Sequence, residues 1–198
     1  MRNEIIEAKE RDKYRRMWEV DDYRLGSPGL RVVDEACCKH LQATPGQTLI
    51  DFGSGTGKAG LALAGKGLEV TLVDFAPNAN EAKLPFIDAC LWDLPKDLHA
   101  DLGFCVDVLE HIPELCVDRT LWEISRCADK IFFQVSLMED GFGRCIGETL
   151  HETVRPADWW LQKFASVWKC GSWFDRIGAG PHPEGKQTHL AVVVHSPQ

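Results

Sequence analysis

Residues 48–57 read Thr48-Leu49-Ile50-Asp51-Phe52-Gly53-Ser54-Gly55-Thr56-Gly57, a short apolar run broken by three alternating glycines. The run has the length and composition of a buried strand. The glycines permit positive φ and let a bound group lie directly on the backbone. A helical stretch follows, Lys58 to Gly65, and Glu69 to Asp74 then reads as a second strand. Asp74 closes that strand 17 residues after Gly57. Adjacent parallel strands would bring the glycine loop and Asp74 together at the carboxyl edge of a sheet, where open α/β folds bind ligands.

The same alternation continues outward. Phe86 to Leu91, Leu102 to Val106, Lys130 to Val135 and His189 to His195 are further candidate strands, with helical patterns at 114–128 and 157–167. Upstream, residues 4–18 form a charged helix with Ile5, Ile6, Tyr14, Met17 and Trp18 as its apolar members. Its charges nearly balance, which suits a lid or a packing helix better than a nucleic-acid arm. Ser27-Pro28 offers an N-cap hydroxyl followed by proline at the first helical position, opening a helix to about Leu41. Strands alternating with helices indicate one α/β domain with a mostly parallel sheet and an N-terminal helical preface.

The 198 residues, 44% of them hydrophobic, fit a single domain with a sizeable core. Twenty-two basic against 30 acidic residues give a net charge of −8, which disfavours extensive nucleic-acid binding. No run approaches the length of a membrane span, and Met1 to Glu10 is too charged for a secretory signal. A cytoplasmic protein is expected. The eight cysteines, at 37, 38, 90, 105, 116, 127, 145 and 170, sit mostly in apolar runs and contain no C-x-x-C, so reduced thiols are expected.

Two nucleotide readings fit the glycine loop and a third fails. A P-loop would need glycine at Phe52 and a hydroxyl at Ala59. A dinucleotide fingerprint, G-x-G-x-x-G, fits Gly55 to Gly60 with Asp74 at a suitable distance. The acid followed by alternating glycines, Asp51-x-Gly53-x-Gly55-x-Gly57, resembles instead the signature of class I S-adenosylmethionine (SAM)-dependent methyltransferases. Asp107-Val108-Leu109-Glu110-His111-Ile112-Pro113 reproduces in full the D-V-L-E-H-[IL]-P stretch that ends the fourth strand in that family. The resemblance covers residues 48–135, and more loosely the preface and Leu150 to Trp160. It implies a Rossmann-like, doubly wound, mostly parallel seven-stranded sheet with helices on both faces. Residues 1–44 would form a cap, 45–137 the SAM-binding core, and 138–198 a substrate-side segment with the last strands.

The resemblance also implies residue roles. Gly53, Gly55 and Gly57 would approach the methionine and ribose of SAM, Asp51 would order the loop and the ligand's ammonium, and Asp74 would bind the ribose hydroxyls. Phe75 could lie against the adenine. The family often places an acid on the adenine amino group where this chain has Cys90, so Leu91 and Trp92 would supply a backbone amide and apolar contact, while Asp93 either substitutes or caps a turn. Asp107 and Val108 would flank the methionine part. His111 and His151 are candidate general bases, with structural ordering of the segments around them as the competing reading. The His/Glu pairs at 110–111 and 151–152 lack a third clustered ligand, so no metal is expected. No Pro-Pro motif or Pro-Cys nucleophile of DNA methyltransferases is present. With the acidic net charge and no recognition domain, methyl transfer to an O or N atom of a small-molecule acceptor is expected, with protein or free-nucleotide acceptors as the alternatives. A SAM-binding protein that does not methylate, or an assembly protein with a retired site, stays open, and the sequence sets no oligomeric state.

Overall fold

The structure, a computed structural model, describes residues 2–168 and 188–195. Its sheet contains β1 (Thr48–Phe52), β2 (Glu69–Asp74), β3 (Phe86–Asp88), β4 (Ala100–Val106), β5 (Ala128–Ser136) and β6 (His189–His195), in the order β3-β2-β1-β4-β5-β6. All pairings are parallel except β5 with β6. The family resemblance implies seven strands; six are present among the described residues. The strand order reverses between β1 and β4, which creates a crevice at their carboxyl ends. No helix among the described residues is long and apolar enough to cross a membrane.

Alternation along each strand feeds two cores. Ile50, Phe52, Cys105, Ile131 and Phe133 face α5 (Glu114–Ser125) and α6 (Ala157–Val167). Leu49, Leu72, Leu102, Phe104 and Phe132 face α3 (Pro28–Glu35) and α4 (Lys58–Ala64). Layers of helix on both faces leave the carboxyl edge of the sheet as the open side. Trp160 is fully buried, whereas Trp159 is only half-buried, beneath the cations of Arg155 and Lys163.

Three local expectations are corrected. The third strand stops at Asp88 because Ala89, Cys90, Leu91 and Trp92 turn inward and join the core as a loop. Ser27 makes no side-chain cap; its carbonyl accepts the Leu30 amide at 3.1 Å and Pro28 alone starts the helix. That helix widens over Ala36–Leu41 into a π turn closed by Gln42 at φ 55°. Of the cysteines, 37, 90, 105, 116 and 127 are buried free thiols, 38 and 145 are exposed, and Cys170 lies outside the described residues.

The preface α1 (Arg2–Met17) and α2 (Asp21–Leu25) lies across the open edge. Tyr14 and Met17 pack on Ala76, Ala79 and Leu150. Charges then staple the helices down. Lys13, 1% exposed, reaches Glu10 at 2.6 Å and Glu152 at 2.9 Å. Arg16 pairs with Glu148 at 2.5 Å, Arg11 with Asp88 at 2.6 Å, and Arg24 with Glu81 at 2.8 Å. The exposed pairs contribute little individually. The buried one is different, because removing one partner strands a desolvated charge. Lys13→Ala is expected to lower stability in urea denaturation by about 3 kcal/mol or more. Lys13→Met combined with Glu10→Leu is expected to recover most of that loss, since no desolvated charge then remains on α1.

Candidate active site

A cavity of about 280 Å³ opens at the switch point between β1 and β4. Gly53, Ser54 and Gly55 form one side, with Asp51, Asp74, Phe75, Leu91, Trp92, Asp107 and Val108 around it. Tyr14, Trp18 and Tyr23 from the preface, with Phe142 and His151, close the opposite side. The sequence thus places nine of its eleven expected cofactor contacts on one cavity wall.

Two do not line it. Gly57, at φ 75°, faces inward: a Cβ there would lie 2.6 Å from that of Ala82, so its glycine serves packing of the loop. Cys90 borders a separate shallow depression with Arg11, Asp88 and Asp93. Asp93 is exposed and lines that depression rather than the cavity.

The loop is tightly specified. Gly53 has φ 70° and its amide donates to the Val73 carbonyl at 2.8 Å; a Cβ there would meet the Val108 methyls at 2.6 Å. Asp74 holds the next turn, its Oδ2 accepting the Gly55 amide and its Oδ1 the Ala76 amide, each at 2.8 Å. The indole of Trp18 covers Gly55, 2.9 Å from where a side chain would begin. Phe75 packs edge-on against Tyr14, with the Arg11 guanidinium 5.6 Å from its ring centre.

The acids of the site are buried. Asp51 is 3% exposed, and its Oδ2 has no hydrogen-bond partner among the described residues. Burial, then the charge of Asp74, pushes its pKa up to about 7. Asp74 is raised by burial too, against the backbone amides that favour its anion. Asp107 adopts φ 52° and accepts the Gln134 Nε2–H at 2.9 Å, with burial raising its pKa.

The histidine candidates meet. The rings of His111 and His151 stand edge-to-face, centres 4.6 Å apart. His111 Nδ1 lies 2.6 Å from the Tyr14 hydroxyl and 3.2 Å from the Leu150 carbonyl. Burial and then the neighbouring His151 push its pKa down to about 3, so the ring is a neutral hydrogen-bonding group and a weak general base. His151 donates Nδ1–H to the Met138 carbonyl at 2.5 Å. Chain spacing offers no third ligand to these two, but the fold supplies one: Glu110, His111 and His151 each bring a donor atom within 4.8 Å of the others. Glu152 instead pairs with Lys13.

Glu10, Asp22 and Phe142 also line the cavity, and none is legible from the sequence. Phe142 arrives on a turn in which Asp140 accepts the amides of Phe142 and Gly143, at 2.9 and 2.8 Å, an Asx pattern readable only afterwards.

No family model matches the chain, and no curated protein sequence is detectably similar. Solved structures are similar in fold. N-methyltransferase NodS from Bradyrhizobium japonicum WM9, in complex with S-adenosylhomocysteine, superposes with a TM-score of 0.66 over 92% of this chain and 96% of its own, at 14% identity. The 1,6-didemethyltoxoflavin-N1-methyltransferase of Burkholderia thailandensis, with 1,6-didemethyltoxoflavin and S-adenosylhomocysteine bound, gives 0.59 over 86% and 79%, at 15% identity. The small RNA methyltransferase HEN1 gives 0.65 over 85% of this chain and 25% of its own, at 16% identity. The fold is therefore the Rossmann-like fold of class I SAM-dependent methyltransferases.

Asp51 yields a prediction independent of any ligand. A carboxyl with a raised native pKa keeps its proton after the unfolded chain has lost its own. The contribution of this group to stability is therefore greatest at low pH and falls as pH rises from about 4, the unfolded value, towards 7. Asp51→Asn removes that penalty. In chemical denaturation the variant is expected to gain on the parent between pH 5 and pH 8, with the difference shrinking at the acid end.

Proposed function

We propose that the chain is a SAM-dependent methyltransferase acting on an O or N atom of a small-molecule acceptor. The observation that carries this reading is the unpaired, buried Asp51 Oδ2 beside a glycine loop fixed by Asp74, in one cavity. A buried carboxyl whose anion is favoured only by the Gly60 backbone amide is stabilised, once ionised, by a cationic ligand. SAM, when bound, presents a sulfonium and an ammonium and supplies an activated methyl group.

On this reading Asp51 holds the cationic amino-acid end, Gly53 and Gly55 let the ligand lie on main chain, and Asp74 accepts from ribose hydroxyls through the lone pairs its two amides leave free. Leu91, Trp92 and Phe75 would enclose the adenine; Asp107 and Val108 would bound the methionine end. Transfer is an in-line displacement, so the protein's contribution is alignment and exclusion of water. Residues 1–44 act as the cap: Trp18 over Gly55 must shift for entry and then cover the ligand. Residues 138–198 form the substrate side. A small acceptor is supported by the roofed cavity and by its carboxylate lining, which repels a polyphosphate chain.

Isothermal titration with SAM, S-adenosylhomocysteine and NAD tests the proposal. The first two are expected to bind and NAD is not. Asp74→Ala is expected to weaken SAM roughly ten- to hundredfold, the loss of a charged hydrogen bond of about 1.5–3 kcal/mol. Because Asp51 must ionise to meet the cation, SAM affinity is expected to rise with pH up to about 7 and to flatten in Asp51→Asn. Tight NAD binding, or no SAM binding by a folded protein, would overturn the reading.

A further inference from the structure

Behind the cofactor wall lies a second group of ligands. Glu110 is fully buried at the start of the turn after β4, and its Oε1 accepts the Ser136 amide at 3.1 Å. Its Oε2 has no hydrogen-bond partner among the described residues. His111 follows in the chain, and His151 arrives from the segment beyond β5 to stand against it. One donor atom from each of the three lies within 4.8 Å of the other two.

Both imidazoles are oriented from behind. His151 Nδ1 is held on the Met138 carbonyl at 2.5 Å, and His111 Nδ1 sits 3.2 Å from the Leu150 carbonyl. A tautomer that donates Nδ1–H to a carbonyl leaves the Nε2 lone pair free, which is how proteins commonly hold histidines that ligate metals. The Tyr14 hydroxyl, 2.6 Å from His111 Nδ1, fixes that ring further. His111 and His151 both line the cavity, while Glu110 stands behind them.

We infer that Glu110, His111 and His151 form a divalent-cation site at the acceptor end of the cavity. Two imidazoles and one carboxylate suit zinc, cobalt or manganese better than magnesium or calcium. An ion about 2.1 Å from each donor would draw the three about an ångström closer together, a side-chain adjustment. Three protein ligands leave positions open towards the cavity, and an oxygen of the acceptor takes one. This substrate half rests on the methyl-transfer reading above, and it selects hydroxyl acceptors over amines. The hydroxyl gives its proton to water and its oxygen forms the bond to the methyl carbon. The carbon–sulfur bond breaks, and its electron pair stays on sulfur as a neutral thioether.

The test starts from full-length protein stripped with a chelator. Titration with cobalt(II) alone is expected to give visible d–d absorption at one equivalent and to raise the melting temperature. His151→Gln, with its fold checked by circular dichroism, is expected to weaken cobalt binding at least about tenfold, the scale that even an outer hydrogen-bond partner of a ligand commands. Glu110→Gln keeps the Ser136 contact in shape and is expected to weaken it similarly. No absorption, or equal binding by parent and both variants, would overturn the site. SAM binding is measured on the same samples. SAM without cobalt would sink the cation site and leave methyl transfer standing; cobalt without SAM would do the reverse. Given both, a panel of simple alcohols, phenols and amines is assayed with SAM. Cation-dependent methylation of hydroxyls supports the substrate half, and chelator-insensitive methylation of amines alone overturns it.

Discussion

The Asp74 carboxylate is the joint on which the open edge of the sheet depends. With one oxygen on the Gly55 amide and the other on Ala76, it ties the loop after β1 to the turn after β2. Neither amide could be left unpaired in a buried site without a cost of about 1–3 kcal/mol. The β1–β2 register, Phe52 opposite Val73, delivers the two segments to the same height. The Val73 carbonyl then receives the Gly53 and Ser54 amides at 2.8 and 3.1 Å, which turns the chain sharply away from the strand. The cavity exists because this turn leaves room above β1 that β4, on the other side of the switch, does not fill.

The preface converts an open crevice into an enclosed one. An amphipathic helix resting on a sheet edge would bury little apolar surface by itself, and α1 contributes mainly Tyr14 and Met17 to its cluster. Its position is set instead by cations aimed at two different walls. Arg11 and Arg24 reach the segments after β2, while Lys13 and Arg16 reach the segment between β5 and α6. Arg24 also donates to the Trp18, Asn78 and Ala79 carbonyls. The exposed pairs among these contacts are directional and individually weak, whereas the buried Lys13 contact anchors α1.

The fold was legible because its signals are local. Continuous apolar runs mark β1, β2, β4 and β5, since strands buried on both faces need no alternation. The glycine loop, Asp74 and the stretch from Asp107 to Pro113 are likewise contiguous, and they carry most of the cavity wall. What escaped was set by distance along the chain. Lys13 finds Glu152 139 residues away, and nothing in the helix pattern distinguishes it from its charged neighbours. The run from Ala89 to Trp92 is as apolar as a strand, but packing took it inward as a loop. Gly57 reads like its two companions and yet answers to Ala82. The third donor beside His111 and His151 became visible only when the segment after β5 folded back.

Charge accounting around the cavity links the two ligand readings. Asp51, Asp107 and Glu110 are each raised by burial, and Glu110 is raised further by the charge of Asp107. No lysine or arginine among the described residues forms an ion pair with any of the three; the nearest imidazole contact is His189, 3.8 Å from Asp107. Lys13, which could have served, is engaged by Glu10 and Glu152. A chain that places three carboxyls in a low-dielectric region and spends its own cations on the cap has two ways to neutralise them. It can hold protons there, which costs nothing until pH rises, or it can bind cations from outside. Asp51 stands beside the glycine loop, where a cationic organic ligand is proposed, whereas Glu110 stands with His111 and His151, where an ion is proposed. The two sites differ in the partners that surround each acid, and the same desolvation drives both.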